Sequence, residues 1–268
     1  MATLAVEDTR SIYYEHYRGA GAVPVVLIHG WGMSARVWDY VIPDLLEAGH
    51  DVVVFDDRGC GRSDKDFEDV SVDAIGSDVV ALVDHLGFSA VVVNGWSHGG
   101  GVATDAGIKL GDRLAGLVLT GGATPRFTQS PDWPHGNTTE GLEELLTALR
   151  DDRITFFEGL VQSVCHVDVG KPVLDWMWRI FTETAPSADE SLRDLGRIDQ
   201  RSDLAKLEAP TLILAGRHDG FVSIEQAREQ ANLFPKTEIV EFDTGHAPFI
   251  EARPAYRSAL LAFLGRIG

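Results

Sequence analysis

Apolar residues fall along this chain in short runs separated by longer stretches of helical spacing. The runs are Val23–Ile28, Val52–Phe55, Val91–Val93, Leu117–Leu119, Leu212–Ala215 and Ile239–Phe242. Each is built mostly of Val, Leu and Ile, as expected of strands buried on both faces. Between them, apolar positions recur every three to four residues. Ser71 precedes a stripe of Val72, Ile75, Val79, Leu82, Val83 and Leu86 that Gly87 ends, which predicts a capped helix with a glycine stop. Ser223 and Gln226 form a capping box before another helix that Pro235 closes. Pro254 suits the first turn of a final helix carrying Leu260, Leu261 and Leu264. Regular alternation of strand and helix predicts an α/β fold, a mostly parallel sheet covered by helices on both faces.

The two ends of this pattern differ from its middle. Thr3–Val6 and Ile12–Tyr17, separated by the turn-like Glu7–Arg10, predict an antiparallel hairpin at one sheet edge. With the six runs this makes an eight-stranded sheet. From Gly122 to Ile198 no strand pattern occurs. Thr138–Arg150, Arg153–Cys165, Pro172–Thr184 and Ala188–Gly196 all read as helix. So long an insertion is more than a loop. It predicts a four-helix cap, residues 122–198, over a core domain of residues 1–121 and 199–268. The cap would lie over the carboxyl ends of the strands, where open α/β sheets bind ligands. Most of its aromatic side chains are expected to form a small core of the cap's own, the rest facing a pocket.

The composition narrows the field. A chain of 268 residues with 44% hydrophobic positions is long enough for one large α/β domain or two small ones. No apolar run approaches the roughly 20 residues of a membrane span. Asp and Glu number 41 against 23 Lys and Arg, a net charge of −18, which disfavours nucleic acid and anionic membrane surfaces as partners. Cys60 and Cys165 are too few for a disulfide scaffold. Met1–Arg10 has no signal-peptide pattern, so a cytoplasmic protein is expected.

The candidate chemistry lies at strand ends. Val91–Val93 leads into Gly95-Trp96-Ser97-His98-Gly99, which fits a nucleophile elbow. A sharp strand-to-helix turn would present the Ser97 hydroxyl at a helix N-terminus, and glycines at 95 and 99 would let the two elements pass closely. A serine needs a base, and the base needs an orienting acid. His246 follows the last strand and Asp219 the one before it, giving the chain order Ser, Asp, His used on this architecture. Asp243, three residues before His246, is a rival acid. An oxyanion hole needs two backbone N–H donors. His98, directly after the nucleophile, supplies one, and Trp31 in His29-Gly30-Trp31-Gly32 supplies the other. The His29 ring is expected to brace its loop. The expected pocket lining is Trp96, Phe127, Trp133, Phe157, Trp176 and Phe221. Asp56-Asp57-Arg58-Gly59-Cys60-Gly61-Arg62-Ser63 lacks the Lys-Ser/Thr ending of a phosphate loop and reads as a bracing turn. No metal-ligand spacing and no dinucleotide fingerprint occur, so neither a metal nor another cofactor is inferred.

Taken together, these residues resemble the α/β-hydrolase superfamily. Three stretches, His29-Gly30-Trp31-Gly32, Gly95-Trp96-Ser97-His98-Gly99-Gly100 and Gly245-His246-Ala247-Pro248-Phe249-Ile250, are similar to the pimeloyl–acyl-carrier-protein methyl ester esterases, as is Ala123–Trp133. The resemblance implies a serine hydrolase with Ser97, Asp219 and His246 as nucleophile, acid and base, and Trp31 and His98 as oxyanion donors. It also implies an acidic carrier protein docked on cap arginines. Residues 122–198, however, hold seven Lys/Arg and thirteen Asp/Glu, a net of −6, which repels an acidic partner. A small-molecule ester is the expected substrate. Perhydrolysis of the haloperoxidase type, carbon–carbon bond hydrolysis and a non-catalytic receptor-like role are the alternatives.

Overall fold

The structure, a computed structural model, describes residues 2–267. The N-terminal half runs β1 (Ala2–Glu7), β2 (Arg10–Tyr17), β3 (Ala22–Ile28), α1 (Ile42–Glu47), β4 (His50–Phe55), α2 (Val72–Leu86), β5 (Val91–Trp96), α3 (His98–Leu110) and β6 (Leu114–Thr120). Four helices follow: α4 (Thr139–Asp151), α5 (Arg153–Val164), α6 (Lys171–Thr182) and α7 (Asp189–Leu195). The chain then returns through α8 (Arg201–Leu204), β7 (Thr211–Gly216), α9 (Ile224–Leu233), β8 (Thr237–Phe242), α10 (Pro248–Glu251) and α11 (Arg253–Leu264).

The eight strands form one sheet in the order β1-β2-β4-β3-β5-β6-β7-β8. The β1–β2 hairpin is antiparallel, β2 runs antiparallel to β4, and every other pairing is parallel. The apolar runs are the centres of these strands, each extended by one to three residues at its ends. The extensions hold residues such as His50 and Asn94 that periodicity does not mark. Asn94 is fully buried in β5, where it, Thr120 and Tyr256 bond one another at 3.0–3.1 Å. This closed triangle satisfies three polar side chains inside the sheet–helix interface.

Local sequence explains the helices. Ser71 caps α2 by accepting the Ala74 N–H, and Gly87 ends it with a left-handed φ of 70°. Ser223 caps α9 by accepting the Gln226 N–H. In α4 the buried face is Leu142, Leu146 and Leu149, a helical repeat with glutamates outside it. Phe157, Met177 and Phe181 of the cap helices belong to the same continuous apolar cluster as the strands, so they do not form the separate small core expected. The joint is Trp31, from the loop after β3: its ring lies 6.2 Å from that of Phe157, so the apolar side chains of the cap meet the core beneath them.

Candidate active site

Ser97 sits between β5 and α3 with φ 56° and ψ −122°, a conformation that L-residues rarely adopt. The neighbouring backbone holds it there. Its N–H donates to Thr120 O at 3.1 Å, and its carbonyl accepts from Gly100 and Ala123, each at 2.8 Å. Two glycines make the turn sterically feasible. A Cβ at Gly95 would lie 2.0 Å from the Gly99 carbonyl oxygen, and one at Gly99 would lie 2.5 Å from the His29 carbonyl oxygen.

His246 and Asp219 meet beside this turn. His246 Nδ1 lies 2.7 Å from Asp219 Oδ2, and both side chains are buried. The other carboxylate oxygen, Oδ1, accepts the N–H groups of Phe221 at 2.8 Å and Val222 at 3.0 Å. Asp219 is thus fixed on both oxygens. Asp243, the rival acid, instead bonds His218 Nε2 at 2.8 Å on the surface. Trp96 and Phe221 flank the His246 ring at centroid distances of 5.5 and 4.8 Å, and the Trp96 indole N–H donates to His246 O at 2.8 Å. Ser97, His246, Trp31 and His98 line one cleft under the cap helices. His98 opens α3, so its N–H is among the first-turn donors without an intrahelical acceptor.

The loops around the cleft are closed by protein groups. His29 accepts the Asp57 N–H on Nε2 at 2.9 Å and pairs through Nδ1 with Gly30 O at 2.8 Å, bracing its loop. Burial lowers its pKa to about 4, so it is neutral near pH 7. In the Asp56–Ser63 turn, Asp56 accepts the Ala35 and Arg62 N–H groups, both at 2.7 Å, and Arg58 grips Asp78 in a fork at 2.6 and 2.7 Å.

The His98 ring is buried beside the Ser191 backbone and 3.9 Å from the Asp57 carboxylate, and neither of its nitrogens completes a well-formed hydrogen bond among the described residues. Burial lowers its pKa to about 3. A histidine depressed in the folded state stabilises the protein above its unfolded pKa of about 6.5, and that stability is lost as pH falls. His98→Met, which removes the unpaired nitrogens but keeps the backbone N–H, is therefore expected to raise stability at pH 7 by about 1 kcal/mol. Its advantage should widen as pH drops from 6.5 towards 4. Denaturant unfolding of both proteins at several pH values checks this, and a constant difference would contradict it.

Of the expected lining residues, Trp96, Phe127 and Phe221 face the cleft and three do not. Phe157 is fully buried behind it, stacked on Phe181 at 5.3 Å. Phe181, whose ring covers Phe157, faces the cleft in its place. Trp133 is buried at the tip of the Phe127–Asn137 loop, packed edge-on to His135 and beneath the Arg201 guanidinium. Trp176 packs edge-on against Tyr40 beside a shallow surface depression. Phe157 and Trp176 lie on the far side of their helices, a choice of phase that helical spacing leaves open, and Trp133 lies in a loop, where no periodicity gives a direction. The cleft walls missed from sequence include Leu145, Phe156, Leu160, Leu192 and Leu195. They carry no signal beyond ordinary amphipathic spacing.

Glu251 also escaped the sequence reading. Its Oε2 accepts the N–H groups of His166, Val167 and Gly245 at 2.7, 3.1 and 2.9 Å, and its Oε1 accepts that of Ala247 at 3.1 Å. One carboxylate therefore joins the His246 loop to the segment after α5. His246 N–H adds a bond to Val164 O at 2.8 Å. An acid five residues after His246, in an otherwise apolar stretch, is the only clue the sequence offers.

Comparison with known proteins agrees with this fold. Residues 23–253 match the family model described as alpha/beta hydrolase fold. The chain is 32% identical over 257 residues to a pimeloyl-acyl-carrier-protein methyl ester esterase of Klebsiella pneumoniae, covering 93% of this chain and 96% of that one. It is 30% identical over 239 residues to a non-heme haloperoxidase of Rhodococcus erythropolis, covering 86% of each. An esterase from Exiguobacterium antarcticum superposes with a TM-score of 0.94 at 26% identity, covering 98% of both chains. The strained serine between β5 and α3, the eight-stranded sheet and these full-length matches lead to one assignment: the chain belongs to the alpha/beta hydrolase fold family.

Proposed function

We propose that the protein is a serine-dependent carboxylic ester hydrolase acting on a small-molecule ester. The observation that carries this reading is the buried His246–Asp219 pair at 2.7 Å in the cleft that Ser97 also lines. With its Nδ1 proton held by Asp219, His246 offers Nε2 as base. Nε2 takes the Ser97 proton as Oγ attacks the ester carbonyl. The oxyanion lies between the Trp31 and His98 N–H groups. His246 then gives the proton to the departing alcohol. Water, deprotonated by the same nitrogen, releases the acid from Ser97. Asp219 orients the ring and stabilises its charged form throughout.

A free ester is favoured over a carrier-bound one by the cap's charge. Six of the seven basic residues in 122–198 already form ion pairs: Arg126–Asp199, Arg150–Asp151, Arg153–Asp189, Lys171–Asp175, Arg193–Glu143 and Arg197–Glu190. Among the described residues Arg179 alone of the seven is unpaired, too little to attract an acidic protein. The test is a panel of p-nitrophenyl esters, a lactone and a carrier-protein ester. Hydrolysis of the free esters is expected, and turnover confined to the carrier ester would overturn the reading. The haloperoxidase relative supports perhydrolysis as a second reading, checked by halide oxidation with peroxide in acetate buffer.

Glu251 acts in this scheme as a positioning residue. Glu251→Ala strips the acceptor from four N–H groups, and loss of about 2 kcal/mol of stability is expected. The kcat for ester hydrolysis should fall at least about tenfold with a smaller change in KM, and Glu251→Gln should recover part of both. Unchanged kcat in a folded Glu251→Ala enzyme would remove this role.

A further inference from the structure

The active-site cleft shares part of its wall with a neighbouring cleft. Leu145 of α4, Phe156 and Leu160 of α5, and Phe221 line it, and the same four side chains line a second, open cleft between α4 and α5 on the surface. The partition between the two is thus a single layer of side chains. All four are only half-buried, unlike the packed Phe157 and Leu146 beside them. Beyond the partition the outer cleft is lined by Ala148 from α4 and by Thr155, Gly159 and Ser163 from α5, and its surface is mostly apolar. Gly159 stands in the middle of α5, where glycine weakens a helix by about 1 kcal/mol relative to alanine. A Cβ at this position would meet nothing within 4 Å, so packing does not require the glycine. Its effect is to keep the outer wall low. The one charged group on this surface is Asp152, the residue that caps α5.

We propose that the α4–α5 cleft is a distal subsite that receives the far end of an elongated, apolar, uncharged acyl chain whose ester carbonyl lies at Ser97. This rests on the esterase reading above. The occupant follows from the wall shared with the catalytic cleft and from lining chemistry: the aliphatic and aromatic side chains of that wall solvate methylenes, and the Asp152 carboxylate repels a terminal carboxylate. The proposal gives Leu145, Phe156, Leu160 and Phe221 the role of a gate that a chain longer than the inner cleft must part. It makes chain length, not head-group recognition, the property the cap reads.

The experiment compares p-nitrophenyl acetate with p-nitrophenyl octanoate and with the octanedioic half-ester. Gly159→Phe fills the outer cleft from one wall and Ala148→Trp from the other. Each should lower the octanoate-to-acetate ratio of kcat/KM about tenfold, the effect of losing roughly two buried methylene contacts. Glu158→Phe, exposed on α5 outside the cleft, is the control and should leave the ratio at the wild-type value. The half-ester should be a poorer substrate than octanoate for the wild type, and Asp152→Asn should narrow that gap. An unchanged ratio in both filled variants, or an equal fall in the control, would overturn the subsite. If the wild-type protein hydrolyses none of the esters, the esterase reading itself fails, which is a separate result.

Discussion

Replacing Ser97 by alanine is expected to lower kcat for p-nitrophenyl ester hydrolysis by about five to six orders of magnitude, the scale on which loss of a serine nucleophile acts. The fold should survive. The side chain makes no capping hydrogen bond on α3, and the backbone bonds to Thr120, Gly100 and Ala123 do not involve the hydroxyl. Alanine faces the same cost as serine at a φ of 56°. Stability is therefore expected to change by less than about 0.5 kcal/mol. Purified variant and wild type should show the same unfolding midpoint, and a fluorophosphonate probe should label only the wild type. Undiminished turnover in a folded Ser97→Ala protein would end the assignment of the nucleophile.

The second large effect is expected from Asp219→Asn, about four orders of magnitude in kcat, and its cause is a tautomer. In the wild type Oδ1 faces the N–H groups of Phe221 and Val222 while Oδ2 faces His246 Nδ1. An asparagine must place its carbonyl oxygen towards the two N–H donors, so its NH2 points at the imidazole. The ring can then only accept on Nδ1 and carries its proton on Nε2, where it is unable to take one from Ser97. Packing is nearly unchanged because the side chains are isosteric. Measuring kcat/KM beside the rate of fluorophosphonate labelling separates the outcomes. Both should fall together if the base has the wrong tautomer, and a loss smaller than tenfold would mean that another group orients the ring.

Much of this was legible from the chain, and for identifiable reasons. The central strands are runs of β-branched residues and leucine buried on both faces, which leave a continuous apolar signature. The helices of α2 and α9 carry their caps within three residues. The elbow is legible because its backbone tolerates so few residues: Gly95 and Gly99 approach carbonyl oxygens too closely for any Cβ. Chain order pointed to Asp219 rather than Asp243, since each follows a different strand; the geometry pairs Asp219 with His246 and Asp243 with His218. The failures have physical causes too. Trp133, Phe157 and Trp176 were expected in the pocket because they are large and aromatic, but composition says neither which way the helices of Phe157 and Trp176 are turned nor how the loop of Trp133 folds. Glu251 was missed because its partners are backbone N–H groups, which every sequence possesses.

Glu251 also bears on how such enzymes can be recombined. The segment after α5 and the His246 loop share one carboxylate, and Val164 O holds the His246 N–H directly. The cap helices are contiguous in the chain, which invites their exchange between relatives as a cassette. Yet the rivet that holds the His246 loop is divided between the cassette and the scaffold that receives it. A chimera cut at residues 122 and 198 inherits Val164 and His166 from one parent and Glu251 from the other. Because the cap contributes backbone groups to that joint, a transplanted cap keeps it only where its chain after α5 runs at the same place against Glu251 and the His246 loop.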